Sequence, residues 1–269
     1  MIRRLATVVA LVAVMVPAWT AGSGAASSTR LGRQSEFSGI GAAGGNYFIR
    51  AQHRASRTGD LCTMGFAVRS ATTGRVGLLT AGHCARNLAG SAPYVVHQTR
   101  GGRSGTTYVG ESLGTVGAHA TVFGKRGDSG FIKVLANRRA VARVFVGGVA
   151  TKHARAVVGR ARPHNHMRVC YSGAASGEHC GFRVVHGSRT IGFPFHHHIR
   201  RIHHEWTATR KHCPAEPGDS GAPVYTKHHG RIHAVGILTG GQQVSGKCPL
   251  YFSPLPLALH RLHLRLMVK

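Results

Sequence analysis

The tetrapeptide Gly-Asp-Ser-Gly occurs twice in the chain, at residues 127–130 and at residues 218–221. A serine hydroxyl becomes a useful nucleophile only beside a base, and the base needs a carboxylate that fixes its tautomer. In the second copy Ser220 follows Gly218, whose permissive backbone can turn its N–H to act with the N–H of Ser220 on a developing oxyanion. We therefore predict Ser220 as a nucleophile, with Gly218 and Ser220 forming an oxyanion hole.

The first copy has different surroundings. Asp128 directly precedes the strand-like run Phe-Ile-Lys-Val, so its carboxylate can be held at a strand edge, as a buried polar group requires. Ser129 has neither a nearby cysteine nor a preceding Pro-Gly, and Gly, Asp and Ser are ordinary turn formers. We therefore predict that the first copy supplies the aspartate and that the second supplies the serine.

His83 is a candidate for the base. It lies in the stretch Leu-Leu-Thr-Ala-Gly-His-Cys, where a β-type run ends at Thr80 and a disulfide at Cys84 could fix the backbone. A single histidine among twenty is more often a surface residue, so the position of His83 leaves both interpretations open.

The elements that would position these residues are short strands. From about Ile49 onward, apolar or β-branched runs such as CTMGFAVRS, VGLLTA, VFVGGVA and IHAVGILT are separated by Gly-rich turns. This spacing, with 37 glycines in 269 residues, predicts an all-β fold, either a sandwich or barrels. Only the C-terminal stretch PLPLALHRLHLRLMVK favours a helix, although its leucines nearly alternate.

The N-terminal residues predict export. Residues 1–26 combine a basic start, a short apolar run and small residues, so we expect a signal peptide cleaved near Ala21 or Ala26. Residues 27–48 are rich in Gly, Ala and Ser, and we expect a short pro-segment or a flexible segment there. No later run approaches the length of a membrane span. The sequence thus predicts a soluble, secreted protein whose folded domain covers residues 49–269.

The six cysteines agree with an oxidising compartment and favour three disulfides. Cys170 and Cys180 bracket a short Gly/Ser-rich turn, and a hairpin closed by their disulfide is the economical interpretation; the other pairings stay open.

Net charge is strongly positive, with 35 Lys and Arg against 8 Asp and Glu. We expect non-specific adhesion to polyanions at low salt. Nucleic-acid binding as the main function is disfavoured, because the basic residues are spread along the chain and only 7% of residues are aromatic.

Taken together, these segments resemble the chymotrypsin-fold serine proteases, and within them the bacterial streptogrisin and alpha-lytic group. LLTAGHC is similar to the histidine motif of that family, GDSGFIKV to its aspartate segment, and CPAEPGDSGAPV to its serine motif. VCYSGAASGEHCG resembles the disulfide hairpin of the streptogrisin group, and AVGILTGGQQVSGKCPLYFSPL its late strand and final cysteine. The segments follow one another in the order of the family.

The resemblance implies two six-stranded antiparallel β-barrels, with a boundary near residues 137–157 and the active site between them. It implies that Ser220 is the nucleophile, His83 the general acid/base and Asp128 the carboxylate that orients it. The implied disulfides are Cys62 with Cys84, Cys170 with Cys180, and Cys213 with Cys248. The implied reaction is hydrolysis of peptide bonds through an acyl-enzyme by a cofactor-free monomer, with polypeptides as substrates and protein protease inhibitors as further partners.

The resemblance also implies a substrate-binding segment. Family members lay the substrate as an added β-strand on an edge that corresponds here to Thr239, Gly240 and Gly241. The wall of the specificity pocket would include Ala215, Glu216 and Leu238, and Leu238 favours a large hydrophobic residue before the scissile bond. Two features depart from the family: Ala222 replaces the second glycine of GDSGG, and the loop after Gly241 is longer than usual.

Two other functions remain open. A catalytically silent cationic binding protein could use the same scaffold, since a fold does not fix a function. The histidine clusters FHHHIRRIHH and TKHHG could bind Zn or Cu. Neighbouring histidines on a strand point to opposite faces, however, and no cysteine or carboxylate spacing accompanies them. We therefore predict no metal site and expect a solvated, pH-sensitive surface.

Overall fold

A computed structural model of the chain describes residues 42–45, 48–51, 62–88, 93–98, 107–112, 114–117, 120–136, 139–149, 151, 153–195 and 198–269. All of them belong to one structural unit, which runs from Arg33 to Lys269. The predicted signal peptide with its cleavage positions, and most of the predicted segment 27–48, lie outside the described residues.

The described residues form short strands and two short helices. In chain order these are β1 Ala42–Gly44, β2 Phe48–Ala51, β3 Cys62–Thr63, β4 Ala67–Ser70, β5 Val76–Thr80, α1 Gly82–Leu88, β6 Pro93–Gln98, β7 Thr107–Ser112, β8 Gly114–Thr115, β9 Thr121–Gly124, β10 Gly127–Val134, β11 Ala140–Phe145, β12 Ala154–Arg160, β13 Arg168–Gly173, β14 Gly177–Phe195, β15 His198–Arg210, β16 Pro223–His228, β17 Arg231–Gly241, β18 Cys248–Pro254, α2 Leu255–Arg261 and β19 Leu264–Leu266.

Six antiparallel strands close a ring in the C-terminal half. In the order β17, β16, β13, β14, β15 and β18, each strand pairs with the next, and β18 pairs back with β17. Closure satisfies the backbone groups that an open sheet would expose at its edges. Phe182, Val224, Leu238 and Phe252 are buried together in the core of this ring. The ring is the second barrel of the expected fold.

The N-terminal half carries two further sheets. β19, β4, β5, β10 and β8 pair in that order, and β9 joins β10; the other sheet has the order β3, β2, β6, β7. Met64, Leu78 and Ile132 are buried in the core of this half. The predicted all-β, two-barrel fold class is confirmed. β11 and β12 form an antiparallel hairpin, and β12 runs parallel to β17 of the second barrel. The boundary near residues 137–157 stays a prediction.

The C-terminal stretch forms both a helix and a strand. α2 has a proline in its first turn, where the missing N–H costs no hydrogen bond, and it buries Leu255, Ala258 and Leu259 at helical spacing. The alternation then continues in β19, which pairs with β4 and buries Leu264 while Arg265 is exposed. The predicted helix is confirmed, and the alternating leucines are explained by the strand that follows it. No described helix is long and apolar enough to cross a membrane.

The folded domain begins before Ile49. β1 pairs in parallel with β11, and the Gly45 N–H donates to the Met64 carbonyl at 2.7 Å. Gly45 has a φ of +74°, and a Cβ there would lie 2.7 Å from Ser172 Oγ, so only glycine fits. The expected lack of structure in the segment 27–48 is therefore wrong for residues 42–45, because close backbone contacts fix them although they have no periodic sequence signal.

Candidate active site

His83 and Asp128 are in direct contact in the N-terminal half. Asp128 lies on β10, which pairs with β5, and β5 ends directly before the short helix α1 that carries His83. The Asp128 carboxylate binds His83 twice, with Oδ2 2.8 Å from Nδ1 and Oδ1 accepting the backbone N–H at 2.7 Å. Asp128 is completely buried and His83 is 8% exposed. This arrangement fixes the orientation of the ring and leaves Nε2 as the basic nitrogen.

The glycine that precedes His83 is required by this contact. A Cβ on Gly82 would lie 2.0 Å from the Val122 carbonyl oxygen and 3.0 Å from Asp128 Oδ1. Any side chain at this position would push α1 away from β10, and the His83 backbone N–H would then lose its carboxylate partner.

Thr63 connects the histidine side of the site to the second Gly-Asp-Ser-Gly loop. Its neighbour Cys62 is disulfide-bonded to Cys84, next to His83. Thr63 Oγ1 donates to the Gly218 carbonyl at 2.8 Å, and the Thr63 N–H donates to the Ser220 carbonyl at 2.7 Å. Sequence reasoning missed Thr63; its position beside Cys62 is the one signal that could have indicated it.

Asp219 fixes the shape of the serine loop. Its Oδ1 accepts the backbone N–H groups of Ala175 and Ser176, both at 3.1 Å, and its Oδ2 accepts Ser176 Oγ at 2.6 Å and the Glu216 N–H at 3.0 Å. Burial raises the pKa of the Asp219 carboxyl above its ordinary value, although these hydrogen bonds oppose the rise. Uncharged donors thus hold the Asp219 carboxylate. Asp219 anchors the loop, a role that sequence analysis did not predict for it.

The backbone of the same loop offers two unused donors. The N–H groups of Asp219, Gly221 and Ala222 donate to carbonyls within the protein. Those of Gly218 and Ser220 have no acceptor among the described residues. Gly218 has a φ of +105°, a backbone conformation that favours glycine. The pair predicted as an oxyanion hole is therefore free to bind an anion.

The Ser220 hydroxyl donates to the Thr239 carbonyl at 3.1 Å, and among the described residues it makes no hydrogen bond to His83. The structure thus brings His83 and Asp128 together and places Ser220 on the adjoining loop through Thr63. A serine side chain has three staggered rotamers, so the same backbone position allows the hydroxyl to reach another acceptor.

The segment 239–241 has a free edge. β16 stops pairing with β17 at Pro223 and Ile237, and the last backbone bonds on that side are made by Leu238, whose N–H donates to the Ala222 carbonyl and whose carbonyl accepts the Gly221 N–H. Beyond Leu238 the described strand that pairs with β17 is β18, opposite Gly240 and Gly241. The free side is the one on which Ser220 contacts Thr239, as the addition of a substrate strand requires.

The predicted pocket residues have different environments. Leu238 is completely buried in the core of the second barrel. Ala215 is partly buried, and its Cβ lies 3.1 Å from the position that a Cβ on Gly241 would take. Glu216 is exposed, and its backbone N–H donates to Asp219. Ala215 therefore lies beside the predicted substrate edge, while Leu238 packs in the barrel core behind this edge.

Glu205 is a buried carboxyl that sequence reasoning did not single out. Ser253 Oγ donates to one of its oxygens at 2.6 Å and accepts the Asp128 N–H at 2.9 Å. Thr239 Oγ1 donates to the other oxygen at 2.9 Å. Burial raises the pKa of Glu205 to about 8, and the neighbouring Asp128 carboxylate adds to the rise. Glu205 thus links the aspartate to the substrate edge, although nothing in its local sequence indicates this.

An aromatic cluster lies against His83. The Phe193 ring, at the end of β14, is centred 4.6 Å from the imidazole, and Phe123 is centred 5.9 Å from it. A Cβ on Gly240 would be 3.7 Å from Phe193. The β14–β15 hairpin therefore reaches from the second barrel to the histidine. The sequence of this stretch stands out only for its histidines. Two of them, His196 and His197, lie outside the described residues.

The structure contains the three disulfide pairs that the resemblance implied, Cys62 with Cys84, Cys170 with Cys180, and Cys213 with Cys248. Within the described ranges, two groups of three potential metal ligands come close together, and both include these cysteines, whose sulfurs are already in disulfides. The His228 and His229 rings are 4.2 Å apart, but no close group of three histidines occurs in the same part of the chain.

No protein-family model matches the chain, and no curated protein matches its sequence. Several solved structures are similar to it. Protease A of Thermobifida fusca has a TM-score of 0.59 at 23% identity, over 84% of this chain and 98% of that one. A Nocardiopsis protease has a TM-score of 0.59 at 22% identity, over 84% and 98%.

A glutamic-acid-specific serine protease that uses a histidine triad in substrate binding has a TM-score of 0.61 at 17% identity, over 83% of this chain and 99% of that one. These identities are low, and what the structures share with this chain is the path of the backbone across nearly their whole length. The chain therefore has the fold of the bacterial chymotrypsin-type serine proteases.

Proposed function

We propose that this protein is a serine endopeptidase that hydrolyses peptide bonds through an acyl-enzyme. The observation that carries the proposal is the double contact of buried Asp128 with the ring and backbone of His83. The adjoining loop adds the Gly218 and Ser220 N–H groups, which have no partner among the described residues. Structures of the same fold are serine proteases, which supports the same reaction class for this chain.

Each step has a group to perform it. Ser220 Oγ attacks the peptide carbonyl carbon while His83 Nε2 takes its proton, and Asp128 stabilises the imidazolium that forms. The N–H groups of Gly218 and Ser220 bind the oxygen as it becomes negative; one such donor is typically worth about 3 kcal/mol. His83 then gives the proton to the leaving amine. Water repeats the sequence on the acyl-enzyme, so that the acid is released and Ser220 is restored.

The proposed substrates are polypeptides with a large hydrophobic residue before the scissile bond. Ala215 supplies apolar surface beside the substrate edge, Leu238 is completely buried behind it, and the predicted pocket wall has no histidine. The preference of the similar glutamic-acid-specific protease is therefore not proposed for this chain. Glu216 contacts Asp219 through its backbone, and we assign its side chain no role as a receptor for Lys or Arg.

The protein is further proposed to be secreted and monomeric, with protein protease inhibitors as possible partners. Three disulfides and the signal-like residues 1–26 support export.

The test uses a fluorophosphonate probe, which labels an activated serine, together with casein cleavage. The protein and its Ser129→Ala variant should be labelled and should cleave casein, while Ser220→Ala should do neither. Ser129 provides the matched control, because it occupies the same tetrapeptide and is buried on β10. Folded protein without labelling would contradict the proposal and would favour a catalytically silent cationic binding protein.

A further inference from the structure

An open cavity of about 520 Å³ lies beyond the end of the segment 239–241. Its lining combines the middle of β14, the end of β15 and the start of β18 with the loop after β17, and it includes His186, Arg189, Gln242, Lys247 and Tyr251. Arg189 and Lys247 are exposed cations, and neither forms an ion pair with any described residue. The lining has no acidic residue.

The cavity and the candidate site occupy two ends of one face of the second barrel. Along β15, Thr209, Thr207 and Glu205 alternate on this face; along β18, Pro249, Tyr251 and Ser253 do the same. The first two residues of each strand line the cavity, and the third of each belongs to the hydrogen-bond chain that reaches Asp128. A ligand in the cavity would therefore lie on the same face as the reacting groups.

The direction of the free edge decides which part of a substrate reaches the cavity. Ser220 contacts Thr239, so the scissile bond lies near Thr239. Gly241, the last residue of β17, and then Gln242 lie progressively farther from it along the chain. A substrate strand that adds antiparallel to this edge runs from Gln242 toward Thr239. The cavity therefore faces residues on the N-terminal side of the scissile bond, at about the third or fourth position before it.

We propose, on the basis of the proposed function, that this cavity is a substrate subsite that selects an acidic side chain on the N-terminal side of the scissile bond, with Arg189 and Lys247 as the recognising cations. The carboxylate of such a residue supplies the negative charge that Arg189 and Lys247 lack as a partner among the described residues. Three of the acidic residues of the chain, Asp128, Glu205 and Asp219, are completely or almost completely buried, so no internal carboxylate competes from the lining.

The test compares acetylated peptide p-nitroanilides with Phe before the scissile bond and with Glu or Gln at the second, third or fourth position. The wild type should show a higher kcat/KM for Glu than for Gln by about five-fold at the third or fourth position, as expected for one or two exposed ion pairs. Arg189→Gln and Lys247→Gln should each reduce this preference. Arg189→Lys should retain most of it, because charge and not shape is proposed to carry the selection.

Arg75→Gln is the matched control. Arg75 is exposed in the turn between β4 and β5, outside the cavity, and its substitution removes the same charge. An equal loss of preference in Arg75→Gln, or an equal preference at all three positions, would overturn the proposal in favour of attraction by the net charge of +27. Fluorophosphonate labelling is measured in every variant. Labelled enzyme without a preference for Glu overturns the subsite alone, whereas the absence of both labelling and cleavage overturns the proposed protease function as well.

Discussion

Three of the described acidic side chains lie in the interior and accept hydrogen bonds there. Asp128 holds the histidine, Asp219 holds the serine loop, and Glu205 joins Ser253 to Thr239 behind the site. Each of these carboxyls is buried and satisfied by hydrogen bonds, as groups that lack water must be. Tyr171 also donates to Asp219 at 3.4 Å. Burial, aided by the charge of Asp219, raises the pKa of this phenol, so it remains a donor at all ordinary pH values.

Glu205 should make stability depend on pH. Its pKa in the folded protein, about 8, lies above the ordinary value of 4.5, so folding favours the protonated form. Its contribution to stability is then fully present below about pH 4.5 and is lost as the pH rises through about 8. We expect Glu205→Gln, compared with the parent, to gain a few kcal/mol in relative unfolding free energy between about pH 5 and pH 9.

Urea denaturation of both proteins at several pH values measures this, with Ser220→Ala as the common background so that self-digestion does not interfere. Glu216→Gln, at an exposed carboxyl, is the control for the loss of one acidic group. A constant difference between Glu205→Gln and its parent across this range would contradict the prediction.

At the scale of elements, the site depends on contacts between segments that are far apart in the chain. The β14–β15 hairpin brings Phe193 to His83, and β18 brings Ser253 to Asp128. β1 adds to β11, and Gly45 fills a space beside Ser172 that has room for no side chain. The start of the folded domain is therefore set by a strand that precedes Ile49.

Truncation tests the role of β1. We expect chains that begin at residue 27 and at residue 42 to have similar thermal stability. A chain that begins at residue 49 should lose about 1–3 kcal/mol, because it lacks the β1–β11 pairing and the bond from Gly45 to Met64. Thermal unfolding followed by circular dichroism, again with Ser220→Ala in every chain, gives the comparison. Equal midpoints for all three chains would show that β1 is dispensable.

For the whole molecule, the positive charge greatly exceeds the negative charge, with 35 Lys and Arg against 8 Asp and Glu. Outside the His83–Asp128 contact, the described ion pair is Lys227 with Glu178, while the chain has 35 Lys and Arg. Twenty histidines add charge as the pH falls below about 6.5. An excess of this size predicts non-specific attraction to polyanions, which differs from selection of one acidic side chain by Arg189 and Lys247.

Adhesion to a polyanion should follow this charge. On a sulfonate resin we expect the salt concentration needed for elution to rise steadily as the pH is lowered from about 8 to about 5, since each protonated histidine adds a charge. Retention that does not change with salt or pH over this range would contradict a non-specific electrostatic origin.

The sequence by itself determined the all-β class, the C-terminal helix and the residues His83, Asp128 and Ser220, because strand periodicity and turn glycines are local and the motifs are contiguous. The double contact between Asp128 and His83, the Thr63 bridge, the Asp219 anchor and the Glu205 chain were decided by the tertiary structure alone. Each of these joins residues that are 34 or more positions apart, and no local pattern records such a pairing. Strands from distant parts of the chain pair side by side and create these contacts, because buried polar groups must find partners wherever the packing places them.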